Sequence, residues 1–137
     1  MRFVLDCSVT LSWAFEDERD SHAIAILQSL KTGEALVPGI WPLEVANGLI
    51  VAERKNRLSE ADAAYFAELL KGLEIKVDAA RLDYTLHKIL PLAREHKLSA
   101  YDASYLDLAL REGLPLATRD QKLRLAARHC GVPLAGK

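Results

Sequence analysis

Four acidic residues stand out because each lies where a predicted strand ends or a predicted helix begins. They are Asp6, Glu44, Asp102 and Asp120, and each is embedded in apolar sequence. A carboxylate among apolar side chains is unfavourable unless another group compensates its charge. If the fold brings the four together, the natural compensator is a divalent cation, because Mg²⁺ and Mn²⁺ prefer carboxylate oxygens. Cations held in this way serve phosphoryl chemistry.

Three neutral polar side chains accompany the acids. Ser8 lies two residues after the first acid, Asn47 one helical turn after the second, and Thr118 two residues before the fourth. Each adds a hydroxyl or amide to a carboxylate-lined site. We therefore treat them as supporting positions of the same candidate site.

Each acid also has a purely structural interpretation. Asp6 and Asp120 are suitable helix N-caps, and Glu44 in a first turn complements the helix dipole. The Ser99–Asp102 segment matches a capping box. Taken singly, these interpretations are at least as good as a catalytic one. Taken together they are weaker, because four independent caps need not share one edge of a sheet.

Electrostatics gives an expectation for the four acids that needs only their proximity. Two carboxylates held about 5 Å apart repel by roughly 3 kcal/mol at an effective dielectric constant near 20. A metal-free cluster should therefore be strained, and at least one carboxyl should bind its proton more tightly than a free side chain.

Strands and helices alternate along the predicted chain, which is typical of a parallel sheet covered on both faces. Ligands of such sheets bind beyond the carboxyl ends of the strands, where these acids fall. Gly33 is a predicted helix cap. The predicted strands cover 2–5, 35–37, 74–77, 114–117 and a short edge strand, 132–134. Seven helices are predicted. The first starts at Ser8, the second ends at about Lys31, the third starts at Pro42, and the fourth runs from the capping segment 59–62 to Gly72. The last three lie in the region of 82–90, at 102–113 and at 120–130.

The composition predicts one soluble α/β domain spanning residues 1–137. Half of the residues are hydrophobic, the net charge is −1, and the two cysteines have no metal-binding spacing. They are expected to be reduced thiols. The sequence contains neither a membrane-spanning run nor signal-peptide anatomy, so a cytoplasmic location is expected.

Other chemistries fit less well. Neither the phosphate-binding nor the dinucleotide-binding glycine motif is present, and Ser104 has no histidine at useful spacing for a catalytic triad. A metal-dependent phosphatase or phospho-acceptor domain remains an alternative, although Ser8 occupies the place where one such class needs a second aspartate. A non-catalytic RNA-binding or protein-binding module of the same fold is a further alternative.

The segments around the acids resemble those of PIN-domain ribonucleases, and more narrowly the VapC toxins of toxin–antitoxin pairs. The resemblance covers nearly the whole chain in family order, with Cys7 where the family often has a small residue. The segments that carry it are FVLDCSV at 3–9, LEVAN at 43–47, LSAYDASYL at 98–106, and TRD at 118–120 with Leu123.

The resemblance implies a three-layer α/β/α fold with a central parallel sheet of about five strands, and an RNA-cleaving site that uses Mg²⁺ or Mn²⁺. Asp6, Glu44, Asp102 and Asp120 match the acidic positions. Asp6 and Asp102, with Asp120, are the expected direct or water-mediated metal ligands, and Glu44 completes the charge.

The resemblance also implies partners: an RNA substrate, a homodimer, and a small antitoxin whose C-terminal segment lies across the active-site groove. Trp13 and Phe15 are candidate apolar anchors for that segment. The alternative is that both aromatic residues belong to the core.

Overall fold

A computed structural model of the chain describes residues 1–136, in which four strands alternate with helices. The strands are β1 (Arg2–Leu5), β2 (Glu34–Pro38), β3 (Ile75–Asp78) and β4 (Leu116–Ala117). The helices are α1 (Cys7–Ser12), α2 (Ser21–Ser29), α3 (Trp41–Arg54), α4 (Glu60–Lys71), α5 (Leu82–Tyr84), α6 (Leu90–His96), α7 (Ala100–Glu112) and α8 (Gln121–His129). A 3₁₀ turn covers Glu16–Glu18, and a π-helical turn, Thr85–Ile89, joins α5 to α6.

The strands form one parallel sheet, in the order β3-β2-β1-β4, flanked by helices. The α/β fold class is thus confirmed. Phe3, Val4 and Leu5 of β1 are completely buried. A strand inside a sheet that is covered on both faces must be apolar at successive positions, which explains this run.

The predicted edge strand at 132–134 is reduced to one parallel bridge, between Leu134 and Leu116. Leu116 donates its N–H to the Pro133 carbonyl, and Ala135 donates to the carbonyl of Leu116. The pairing stops there because β4 has only two residues and a proline N cannot donate to a ladder. The sheet therefore has four strands rather than about five.

Tight packing around β1 positions the start of each site helix. The Asp6 N–H donates to the carbonyl of Ala117 at 2.9 Å, which fixes the end of β1 beside the end of β4. Helix α3 lies close to α1 at Gly48, where a Cβ atom would come within 2.4 Å of Leu11 Cδ1. This close approach holds the first turn of α3, which carries Glu44, against α1.

The spacing of apolar residues predicts a buried stripe of Leu43, Ala46, Leu49 and Ile50 on α3, but only Leu49 of these packs against the core. Leu43 and Ile50 are exposed, and the buried positions of this helix are Trp41, Val45 and Ala52. The helix has two apolar faces, and the spacing rule chose the wrong one because the helix begins at the aromatic Trp41, which anchors the other face in the core.

Trp13 and Phe15 belong to the protein interior, so the prediction that they anchor an antitoxin was wrong and the core alternative is correct. Trp13 is 6 % exposed, and its indole N–H donates to the Ala23 carbonyl at 2.8 Å. Phe15 is 8 % exposed, and the Arg57 guanidinium covers its ring at 4.1 Å from the centroid.

Gly33 does not cap α2, because the C-cap residue of that helix is Leu30. A Cβ atom at Gly33 would instead lie 2.1 Å from the Met1 carbonyl oxygen, so the glycine permits close contact with the N-terminal residue.

Among residues 1–136, no helix is both long enough and apolar enough to cross a membrane.

Candidate active site

Asp6 is the buried centre of the site. It follows β1, and only 5 % of its surface is exposed. Its Oδ2 atom accepts hydrogen bonds from Ser8 Oγ at 2.7 Å and from Thr118 Oγ1 at 2.6 Å. Ser8 and Thr118, two of the three predicted supporting residues, therefore contact Asp6 directly.

The loop after β4 is held to the same point. Ser8 Oγ accepts the Arg119 N–H at 3.0 Å, and Thr118 Oγ1 accepts the Asp120 N–H at 3.1 Å. Both hydroxyls thus donate to Asp6 while accepting from the backbone of this loop. They fix Asp120 relative to Asp6 across two neighbouring strands.

Two of the structural interpretations hold alongside the site. Asp120 Oδ1 accepts the Lys122 N–H at 2.9 Å as the N-cap of α8. Ser99 Oγ accepts the Asp102 N–H at 3.0 Å as the N-cap of α7. Asp6 occupies the N-cap position of α1 without a side-chain capping bond. Capping therefore places Asp120 and Asp102 but accounts for neither of Asp6's side-chain contacts.

Glu44 reaches the site from the first turn of α3. Its Oε1 atom accepts the Tyr105 phenol at 2.6 Å, and Tyr105 on α7 is completely buried. The sequence analysis did not single out Tyr105. The signal was available in its position three residues after Asp102, since residues i and i+3 lie on one side of a helix.

The electrostatics of Asp102 ties the four acids together. Burial, followed by repulsion from Asp120, Asp6 and Glu44, raises its pKa to about 6. Each of the other three carboxyl groups therefore acts on Asp102. This confirms the expectation that a metal-free cluster binds at least one proton unusually tightly.

The pKa values of the other two perturbed acids move the same way. Burial raises the pKa of Asp6, and repulsion from Asp120 adds to the rise, although the Thr118 and Ser8 hydroxyls oppose it. Burial also raises the pKa of Glu44, against the hydrogen bond from Tyr105.

Asn47, the third predicted supporting residue, is exposed on α3. Its side chain makes no hydrogen bond within residues 1–136.

Cys7 is buried, and burial together with the charges of Glu44 and Asp6 raises the pKa of its thiol to about 12. It stays a protonated thiol, and both cysteines are free, as expected.

The donor set fits a hard divalent cation, although the acids do not form a closed cage. In the part of the chain that the structure describes, no three His, Cys, Asp or Glu side chains group closely enough to hold a metal ion by themselves. Mg²⁺ is commonly held by one or two carboxylates and keeps several waters. The fit rests on oxygen donors whose mutual repulsion a cation would relieve. The residues that would hold it are Asp6, Asp102 and Asp120.

The raised pKa of Asp102 predicts how the stability of the metal-free protein depends on pH. The folded pKa of about 6 lies above the ordinary aspartate value of 3.8, so the folded state holds the proton more tightly. The unfolding free energy should therefore fall as pH rises from 4 to 7. Allowing for partial solvent exposure, Asp102 contributes about 1–2 kcal/mol to that fall.

Chemical denaturation of metal-free wild type and Asp102→Asn at several pH values measures this contribution. The wild type should lose stability relative to the variant between pH 4 and 7. Parallel curves for the two proteins would contradict the raised pKa. Asp20 and Glu34 have lowered pKa values and therefore contribute stability that is lost as the pH falls. Their contribution is the same in both proteins, so it cancels in the difference between wild type and variant.

Tyr105→Phe tests the positioning of Glu44. The substitution keeps the buried ring and removes only the hydroxyl that donates to Glu44 Oε1. A hydrogen bond to a charged group contributes about 1.5–3 kcal/mol, so the unfolding free energy at pH 8 should fall by a similar amount. The Glu44 pKa should rise further, as measured by carboxyl NMR titration. An unchanged Glu44 pKa would contradict the role given to Tyr105.

Comparison with known families and structures agrees with this architecture. The family model described as "PIN domain" matches residues 3–129. Among curated protein sequences, none matches the chain.

Three solved structures share the fold. "Crystal Structure of PAE2754 from Pyrobaculum aerophilum" is 22 % identical, with a TM-score of 0.70, and the match covers 99 % of this chain and 87 % of that one. "Crystal Structure of FitAcB from Neisseria gonorrhoeae" is 20 % identical, with a TM-score of 0.64 and coverages of 98 % and 96 %. "Toxin-antitoxin complex from Klebsiella pneumoniae" is 18 % identical, with a TM-score of 0.61 and a coverage of 88 % for each chain.

The family match spans almost the whole chain and includes all four acids, and the parallel sheet flanked by helices is the fold that the sequence resemblance implied. The chain belongs to the PIN domain family.

Proposed function

We propose that the protein is a divalent-metal-dependent endoribonuclease that acts as the toxin of a VapC-type toxin–antitoxin pair. The observation that carries this proposal is the coupling of four carboxyl groups at the carboxyl edge of the sheet. PIN domains are generally nucleases and typically use divalent metal ions. One of the similar solved structures is a toxin–antitoxin complex from Klebsiella pneumoniae.

In this proposal each acid has a separate task. Asp6, Asp102 and Asp120 hold Mg²⁺ or Mn²⁺, directly or through water. Glu44 accepts the proton of the attacking water, because burial makes it more basic than a free glutamate and Tyr105 holds one of its oxygens in place. Its other oxygen has no hydrogen-bond partner among the described residues and is available for the proton. When bound, the cation supplies positive charge for the phosphate and lowers the pKa of water.

The environment of Asp6 argues against the phospho-acceptor alternative. Its Oδ2 atom already accepts two hydroxyl hydrogen bonds, and the side chain is almost completely buried. A nucleophilic carboxylate needs an exposed oxygen that can reach phosphorus. Asp6 is better suited to hold a cation than to attack.

The proposed partners are an RNA substrate, a small antitoxin and a second copy of the chain in a homodimer, in the cytoplasm. Large apolar side chains that are exposed in the single chain support the two protein partners, since extended exposed apolar surface often marks an interface. These side chains lie on α3 and α4 and on the segment from α5 to α6: Leu43, Ile50, Tyr65, Leu69, Leu82, Leu86 and Leu90.

Incubation of the purified protein with end-labelled RNA in Mg²⁺, Mn²⁺ or EDTA tests the activity. We expect internal cleavage with either cation and none in EDTA. Hydrolysis of a small phosphomonoester without RNA cleavage would support the phosphatase alternative. RNA binding without cleavage under every metal condition would support the non-catalytic module. In cells, expression without the antitoxin should arrest growth, and sequencing of the new RNA ends identifies the target.

A further inference from the structure

A cavity of about 430 Å³ lies at the carboxyl ends of β2 and β3. Its walls come from the turn before α3, the loop after β3, the segment from α5 through the π-helical turn, and one face of α7. They include Ile40, Arg81, Tyr84, Tyr101 and Ser104. The volume is within the usual range for small-ligand sites, about 300–1,000 Å³. None of these residues has a task in the proposed hydrolysis.

The cavity and two of the acids are positioned by the same two structural elements, the start of α3 and the start of α7. Tyr101 immediately precedes Asp102 at the start of α7. The Ile40 carbonyl accepts the N–H of Glu44 in the first turn of α3. The cavity residues Tyr101 and Ile40 thus lie one and four residues along the chain from two of the acids, close enough for a neighbouring nucleotide of a chain-like substrate.

One wall of the cavity is fixed by a network of hydrogen bonds. Asp107, only 7 % exposed, accepts from the Tyr84 hydroxyl at 2.8 Å and from Arg111 Nε at 2.9 Å. Arg111 also donates to Asp78 Oδ2 at 2.8 Å. The cavity is thus largely formed before any ligand arrives, which favours binding.

The chemical character of the cavity is aromatic, apolar and locally cationic. Tyr101 is 59 % exposed, so its ring is available to a ligand. Arg111 is engaged by two carboxylates, whereas Arg81 is exposed and pairs with no carboxylate within residues 1–136. An aromatic surface, apolar walls and one unpaired cation match the base and phosphate of a nucleotide. RNA bases are commonly read by stacking on aromatic or guanidinium planes.

We propose that this cavity binds the base of a nucleotide next to the scissile phosphodiester of the RNA substrate. Tyr101 stacks on the base, and Arg81 contacts the phosphate on its far side. The inference rests on the proposed function, because it assigns part of the substrate of that same site. It makes the cavity a determinant of which nucleotide flanks the cut.

A short single-stranded RNA with one cleavage site tests the proposal when each nucleotide near the cut is replaced in turn by an abasic ribose. We expect one abasic position beside the cut to lower the single-turnover rate about tenfold, because stacking on an aromatic side chain contributes about that much. Tyr101→Ala should lower cleavage of the unmodified RNA similarly, with no additional loss on the abasic RNA. Arg81→Gln should also slow cleavage.

Two surface substitutions serve as matched controls. Leu125→Ala removes a similarly exposed apolar side chain from α8, and Arg128→Gln neutralises an exposed arginine at the end of the same helix. Both should cleave the abasic and unmodified RNAs in the wild-type ratio. Equal cleavage of every abasic RNA by the wild type would overturn the cavity assignment while leaving the nuclease proposal intact.

A binding measurement separates the two proposals if no RNA is cleaved. Nucleoside 5′-monophosphates titrated into the metal-free protein should shift the NMR signals of Tyr84, Tyr101 and Ser104, and Tyr101→Ala should weaken that binding about tenfold. Such binding supports the cavity even if the nuclease proposal fails. Absence of nucleotide binding would overturn the cavity assignment. NMR signals of these residues that change with protein concentration but not with nucleotide would also overturn it, because the cavity would then belong to an interface between two copies of the chain.

Discussion

Asp102→Asn should lower the single-turnover rate of Mn²⁺-dependent RNA cleavage by about 10²- to 10³-fold or more, because it removes one anionic ligand from the proposed cation site. The amide keeps the shape of the side chain. It also removes a charge that burial and three neighbouring acids disfavour. The fold should therefore be intact, as judged by circular dichroism and by an unchanged or raised melting temperature.

Asp6→Asn should lower the cleavage rate to a similar extent, but this substitution also affects the stability of the fold. Asp6 Oδ2 accepts two hydroxyl hydrogen bonds in a buried environment. An amide NH₂ at that point would face donors rather than acceptors, so some stability is lost along with the charge. The matched control is Asp62→Asn on the exposed first turn of α4, which should cleave at the wild-type rate. Near-wild-type metal-dependent cleavage by both site variants would mean that the acids are not the catalytic centre.

Mn²⁺ should raise the melting temperature of the wild type and have much less effect on Asp102→Asn. A ligand that binds only the folded state stabilises it by about 2.7 kcal/mol at a hundred times its dissociation constant. For a chain of this length that is a rise on the order of 10 °C. In EDTA the order should reverse above pH 6, where the variant should melt higher because it lacks a charge at a position whose pKa is raised to about 6.

The dependence of the two melting temperatures on Mn²⁺ concentration distinguishes a metal site from a set of helix caps. Capping by Asp120 and Ser99 does not depend on a cation. If the wild-type melting temperature stays constant up to millimolar Mn²⁺, the capping interpretation accounts for the acids and the metal site is wrong.

The sequence was sufficient to predict the fold because its signals were local and consistent. The apolar run of β1, the capping serines Ser59 and Ser99, and the glycine after α7 all act through neighbouring residues. The errors arose where tertiary packing decided between two possibilities. Which apolar face of α3 is buried depends on contacts with other elements, and no periodicity within α3 distinguishes the two.

The same distinction applies to the site. The positions of Ser8 and Thr118 beside Asp6 followed from the rule that strands of a parallel sheet end at one edge. The Glu44–Tyr105 hydrogen bond joins residues 61 positions apart on two helices, and its geometry depends on how α3 and α7 pack. The buried positions of Trp13 and Phe15 likewise depend on α2 and Arg57, which approach from elsewhere in the chain.

The most direct test of the central claim titrates Mn²⁺ into one preparation of EDTA-stripped wild type and follows RNA cleavage and melting temperature together. If the four acids hold the cation that cleavage requires, cleavage should be absent without metal. The rate and the melting temperature should then rise with the same half-saturating Mn²⁺ concentration, and Asp102→Asn should show neither rise. Cleavage that persists in EDTA, or that saturates while the melting temperature stays constant, would contradict the account.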